Sequence, residues 1–199
     1  MKKILVVDND QFILKMMEKI LVKEGYEVTT AEGGLAALDL LKSYTPDVMF
    51  IDLIMPNIDG EKLCKIISRM PKLNNTHRII LSAISAEEVI NIDELGVNAV
   101  LSKGPMKEIT HNIRRLLNEI LHKPYDSTLI EEIDTTRNYP RGVVKELILV
   151  KKHFEIILER MSEGILELSQ EKRILFANPT ALSLLSTSEE KLIGSYFIE

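Results

Sequence analysis

Over the first 121 residues of this 199-residue chain, hydrophobic positions alternate between two rhythms. Short apolar runs ("KILVV", "YEVTTA", "DVMFID", "HRIILSA", "NAVLSK") end at polar turns. Each is followed by a longer segment of helical period ("QFILKMMEKILVKEG", "GGLAALDLLKSYT", "DGEKLCKIISRM", "AEEVINIDELG", "MKEITHNIRRLLNEIL"). The pattern predicts a strand and a helix five times in succession. In the first helical segment Phe12, Met16 and Ile20, with Met17 and Leu21 beside them, recur about every four residues and share one stripe. Gly25 closes that segment as a left-handed cap residue does. The runs "ILVV", "VMFI" and "RIIL" are apolar at every position, which suits central strands of a parallel sheet covered on both faces. Right-handed crossovers then give a doubly wound α/β domain.

Beyond Leu121 the rhythm breaks at "HKPYDSTLIEEIDTTRNYPRG", rich in Pro, Gly, Asp, Ser, Thr and Asn. This predicts a connector over residues 123–142 with one short helix, for which Thr128 and Glu131 could form the capping box. From there Val143, Leu147, Val150, Phe154, Ile157 and Met161 follow at alternating spacings of four and three, the seam of a coiled coil. Two arrangements stay open for residues 143–161: a seam against a second copy in a homodimer, or packing on its own chain. Residues 162–199 predict a hairpin of "GILEL" and "RILFA" across "SQEK", then two short helices.

Hydrophobic residues make up 45% of the chain, charged residues 28% and aromatic residues 5%, the balance of a globular protein with a real core. No run approaches the roughly 18 apolar residues of a membrane helix, and the chain meets an acid too early for a signal peptide, so a cytoplasmic protein is expected. The lone cysteine, Cys64, has no metal-ligand spacing around it and reads as a buried helix residue. Residues 1–123 hold 16 basic and 17 acidic side chains, and residues 124–199 hold 9 and 13, so neither part offers a nucleic-acid footprint.

Candidate chemistry gathers where strands end. Asp8, Asn9 and Asp10 follow the first strand, Asp52 the third, Ser82 the fourth and Lys103 the fifth. In an open parallel sheet ligands collect at this edge. Crowded carboxylates there repel one another unless a cation sits among them, and a hard divalent ion such as Mg²⁺ needs only one or two of them plus other oxygens. A lysine and a hydroxyl could hold the remaining oxygens of a phosphoryl group, which points to Asp52 as a carboxylate nucleophile that accepts phosphate. Taken singly, a strand-end aspartate more often caps the next helix, and Asp10 is read as such a cap.

The stretches "ILVVDND", "DVMFIDLIMPNIDG", "RIILSA" and "VLSKGP", in that order and at those intervals, resemble the receiver domain of bacterial response regulators over residues 1–122. The resemblance implies a flavodoxin-like, five-stranded parallel sheet in the order 2-1-3-4-5. It makes Asp52 the phosphoacceptor, Ser82 the switch hydroxyl and Lys103 the phosphate-binding lysine. It also implies an Mg²⁺ site built from Asp8, Asn9, Asp52 and the backbone carbonyl of Ile54. The phosphodonor would be a histidine kinase or phosphotransfer protein. At most, Mg²⁺-dependent self-phosphorylation and autodephosphorylation are expected as enzyme activity.

Three positions depart from that family. Asn9 stands where a second acid is usual, and its amide oxygen can still coordinate Mg²⁺ with one negative charge fewer, so weaker metal affinity is expected. Val100 stands where an aromatic residue is common, and "KGP" interrupts the usual Lys-Pro. These departures motivate an alternative: a receiver scaffold that recruits partners without being phosphorylated. "ANPTALSLL" and "SEEKLIG", with Gly164, Asn178, Pro179 and Gly194, resemble the opening half of a PAS sensor domain. A complete one is longer, so the chain is expected to stop mid-domain, as a piece of a larger protein, a decayed gene or a form stabilised by dimerisation. His153 lacks the acidic neighbour and downstream proline of a phosphorylated kinase histidine and reads as a surface residue.

Overall fold

The structure, a computed structural model, describes residues 1–82, 95–103, 106–122, 131–133, 151 and 153–197. It divides into two compact units, Met1–Asn138 and Tyr139–Glu199. In the first, β1 (Lys3–Asp8), β2 (Glu27–Glu32), β3 (Val48–Asp52), β4 (His77–Ser82), β5 (Ala99–Ser102) and β6 (Glu131–Ile133) form one sheet in the order 2-1-3-4-5-6. Every pairing in it is parallel. The five expected strands and their flavodoxin-like order are present.

The described helices of this unit are α1 (Gln11–Lys23), α2 (Gly34–Leu41), α3 (Gly60–Ser68) and α4 (Met106–His122). Successive strand residues point to opposite faces, and here both faces are covered. On one face Ile4, Val6, Val48, Phe50, Ile79, Leu81, Ala99 and Leu101 pack with Leu14, Met17 and Leu21 of α1 and Ile109, Ile113, Leu116 and Leu117 of α4. The intervening residues Leu5, Val7, Met49, Ile51 and Ile80 are equally buried, as are Ala37 and Leu41 of α2 and Leu63, Ile66 and Ile67 of α3. Each such side chain contributes about 1.5–3 kcal/mol by leaving water, which makes the sheet centre a stiff platform for what its ends carry.

Two expectations are corrected. The stripe of α1 does not run through Phe12, which is 67% exposed. The buried line is Leu14, Met17 and Leu21, flanked by partly buried Ile13, Met16 and Ile20. Glu131 is not in a short helix: it opens β6, a sixth strand paired with β5 through Ala99↔Glu131, Val100↔Glu132 and Leu101↔Ile133. "EEI" carries no helical stripe strong enough to outweigh the main-chain partners offered by the β5 edge. Gly25 does close α1, with φ +88° just after the capping Glu24.

In the second unit residues 153–159 are helical (α5). The hairpin forms as predicted, β7 (Leu166–Leu168) antiparallel to β8 (Ile174–Ala177). Its turn is closed by Lys172, in the left-handed region at φ +60°, and by the Ser169 hydroxyl, which accepts from the Arg173 N–H. Two short helices follow, α6 (Pro179–Leu184) and α7 (Glu189–Leu192). Asn178 organises this unit. Fully buried, it accepts the N–H groups of Ile165 and Ala181 at 2.9 Å and donates to the carbonyls of Leu158 and Glu163 at 3.1 and 2.8 Å.

Phe154, Ile157 and Met161 of the seam are solvent-exposed within this unit. Val143, Leu147 and Val150, the predicted fourth helix, Thr128, and Gly104 and Pro105 of "KGP" lie outside the described residues. Among the described residues no helix is long and apolar enough to cross a membrane.

Candidate active site

Strands β1 and β3 are parallel neighbours, with Val7 beside Ile51, so Asp8 and Asp52 end adjacent strands at one edge of the sheet. The chain winds in opposite directions on either side of this pair, which leaves the crevice that a doubly wound sheet uses for ligands. β4 and β5 add Ser82 and, one residue past β5, Lys103. All four predicted side chains therefore reach the same edge.

The stretch "VVDND" resolves into three different tasks. Asp8 is buried, and its carboxylate accepts the Asp10 N–H through Oδ1 at 2.8 Å. Asp10 turns the other way and caps α1, its Oδ1 accepting the Phe12 N–H at 2.8 Å, as expected of it. Asn9, between them, is exposed.

After β3, "DLIMPNIDG" folds into a tight loop anchored by buried Met55 and Ile58, while Ile54 stays 55% exposed. Asn57 takes the left-handed conformation at φ +65°, which Asn tolerates better than most residues. Asp59 caps α3 through the Lys62 N–H, and the Gly60 N–H donates to the Leu53 carbonyl at 3.0 Å. A Cβ at Gly60 would collide with the Asp52 carbonyl oxygen, so only glycine lets α3 begin directly against the strand that carries Asp52. The sequence reading left Gly60 without a role; the signal available was a glycine just after a capping aspartate in a loop that must turn back on its strand.

Lys103 ties the edge together. Its Nζ donates to Asp8 Oδ2 at 2.7 Å and to Asp52 Oδ1 at 2.8 Å, and its backbone N–H donates to the Ser82 carbonyl at 2.7 Å. Burial pulls the ammonium toward neutrality, but its bonds to Asp52 and Asp8 outweigh that and hold its pKa above the usual lysine value. Asp52 is only 6% exposed, and burial, aided by the nearby Asp8 charge, raises its carboxyl pKa despite the opposing Lys103. One ammonium between two carboxylates leaves an excess of negative charge at this edge.

That excess, together with hard oxygen donors, suits a small divalent cation better than a soft one. Two carboxylates converge within 2.8 Å of one cationic nitrogen; along the chain Asn9 directly follows Asp8, and Ile54 lies two residues after Asp52. Among the described residues no group of three or more His, Cys, Asp or Glu is placed to hold a metal. A cation here would thus depend on two acids and neutral oxygens. Cys64 takes no part: buried in α3, its thiol is pushed by that burial up to about 12.

The family model for the response regulator receiver domain matches residues 4–114, more than half of the chain. The chain belongs to the response regulator receiver family. The chemotaxis protein CheY of Bacillus subtilis is 34% identical over 98 residues, 49% of this chain and 79% of that one. A Francisella response regulator receiver domain is 32% identical with a TM-score of 0.52, covering 60% of this chain and 98% of its own. The response regulator TrrA of Thermotoga maritima, solved in complex with Mg²⁺ and BeF, is 29% identical with a TM-score of 0.51, covering 59% of this chain and all of its own. Several longer curated relatives also match, and the chain spans 40 to 65% of the length of three of them. The family model lies within the first unit, whereas the alignments with two of these longer relatives, over 169 and 154 residues, exceed its length.

Proposed function

We propose that this receiver domain is a phosphorylation-controlled switch in which Asp52 accepts a phosphoryl group from a histidine kinase or phosphotransfer protein. The observation that carries this reading is the convergence of Lys103 Nζ on both Asp8 and Asp52 at the carboxyl ends of neighbouring strands. An Asp52 carboxylate oxygen attacks the phosphorus of a phosphohistidine. As the new P–O bond forms the P–N bond breaks, and the departing imidazole takes up a proton. In this reading the Lys103 charge would hold the phosphoryl oxygens, and Ser82, buried at the end of the next strand, would offer a hydroxyl to one of them.

Asp8, Asn9, Asp52 and the Ile54 carbonyl would hold Mg²⁺. When bound, that ion would neutralise charge on the phosphoryl group, and the Mg²⁺ and BeF complex of the related TrrA supports the assignment. Lys103 and Ser82 turning to the acyl phosphate would shift the β5 and α4 side of the domain and bias the amphipathic helix predicted over residues 143–161. That helix is proposed to pair with a second copy, since Phe154, Ile157 and Met161 keep seam spacing and are exposed. Residues 162–199 are proposed to be a PAS-like sensor segment, a reading supported by a hairpin followed by two short helices. In this proposal the receiver domain spans residues 1–122, residues 123–142 are a connector that supplies β6 to its sheet, and residues 143–161 and 162–199 are the helix and the PAS-like segment.

A second reading, a receiver that recruits partners without phosphorylation, is favoured by Asn9 in place of an acid and by Val100, buried in β5 with no ring to swing. Incubation with a small acyl phosphate and Mg²⁺, followed by intact-mass measurement, separates the two. The switch predicts gain of one phosphoryl group by wild type and none by Asp52→Asn. No gain in wild type favours the recruiting scaffold.

A further inference from the structure

We infer that β6 is a strap: its pairing with β5 is governed by the state of Asp52, and it carries that state to the chain leading into the second unit. This rests on the phosphoacceptor reading above. Because all six strands are parallel, their carboxyl ends share one edge of the sheet, the edge of Asp8, Asp52 and Lys103. Helix α4 takes the chain from that edge back to the opposite one, and β6 returns it. Ile133 pairs with Leu101, two residues before Lys103, so β6 ends at the edge that carries the site and not at the opposite one.

The end of β5 is fastened from within the site. The Lys103 N–H bonds the Ser82 carbonyl at 2.7 Å, and its Nζ spans Asp8 and Asp52. A turn of Lys103 toward an acyl phosphate must pull on the main chain at 102–103, and the displacement can be absorbed on either side of β5. On the inner side stand β4 and the buried Ile79, Ile80 and Leu81. On the outer side stands β6, three residues long and the edge strand of the sheet. A short edge strand with one neighbour is the weaker partner, so the outer pairing yields first.

The test is hydrogen exchange by mass spectrometry on the full chain, with and without a small acyl phosphate and Mg²⁺, alongside intact mass. Before phosphorylation the β6 amides that face β5, alternate ones in an edge strand, are expected to be protected. After it they should exchange faster on the order of tenfold, with β1, β3 and β4 unchanged. Ile133→Pro disrupts the three-residue strand and should give fast exchange at the remaining β6 amides with or without phosphate, while Asp52 still accepts it. Unprotected amides in the unmodified chain, or unchanged protection in a chain whose mass shows one phosphoryl group, would overturn the strap and leave the phosphoacceptor reading standing. Failure of wild type to gain a phosphoryl group would overturn both.

Discussion

Gly60 lies against Asp52 so closely that its missing side chain is part of the site: any Cβ at position 60 would occupy the space of the Asp52 carbonyl oxygen. The contact is backbone to backbone, so no flexible side chain can yield. Gly60→Ala should therefore destabilise the first unit by about 1–3 kcal/mol, the range for forcing extra volume into packed structure. Urea denaturation followed by circular dichroism measures this. An unchanged midpoint would mean that α3 can slide away from β3 without cost.

Asp52 burdens the fold at neutral pH. Its carboxyl pKa is raised in the folded state, chiefly by burial, so the folded chain binds that proton more tightly than the unfolded chain does. The stability it contributes is present below the ordinary carboxylate pKa and is lost as pH rises through the raised value. Asp52→Asn should thus be more stable than wild type at neutral pH, with the gap closing as pH falls into the carboxylate range. Lys103 has the same sign in a different window: its value is also raised, so its contribution persists through neutrality and is lost only as pH rises through alkaline values. Thermal melts of both proteins across pH check the signs.

Asn9 sets how strongly the crevice attracts a cation. It is exposed and directly follows Asp8, one of two carboxylates that already share one ammonium, so Asn9→Asp adds a full negative charge next to Asp8 in the chain. Mg²⁺ affinity should rise on the order of tenfold, since ligand charge count is a main determinant for such ions. Isothermal titration of the two proteins measures it. Equal affinities would show that the side chain at position 9 is not a ligand.

In the second unit Asn178, itself buried, satisfies four main-chain groups with one side chain. Asn178→Ala removes a helix cap and leaves those groups unpaired, at about 1–3 kcal/mol for each one left buried. Hydrogen exchange should then show loss of protection across β7, β8 and α6 with none in β1–β5. Asn178→Asp keeps both accepting bonds but loses the two donors, and should fall between.

The five repeating strands and the crevice were legible because they rest on local rules: apolar strands covered on both faces, and polar residues where strands stop. Asp10 as a cap followed from the same rules. What escaped were features set by long-range partners. Phe12 fits the α1 stripe by spacing, but which positions of that stripe are covered is decided elsewhere in the chain. "EEI" gains its strand from the β5 edge, which no local pattern announces, and Gly60 gains its meaning from an oxygen eight residues earlier. The bridging of Asp8 and Asp52 by Lys103 joins residues 95 apart and was legible only through the family's motif order.

The central claim is that Asp52, and no other side chain, receives the phosphoryl group. An aspartyl phosphate is reduced by borohydride to homoserine, so treating the acyl-phosphate-modified chain and sequencing its peptides by mass spectrometry marks the acceptor directly. The account predicts homoserine at position 52 alone; homoserine at Asp8, Asp10 or another acid, or none in a chain that carries phosphate, would contradict it.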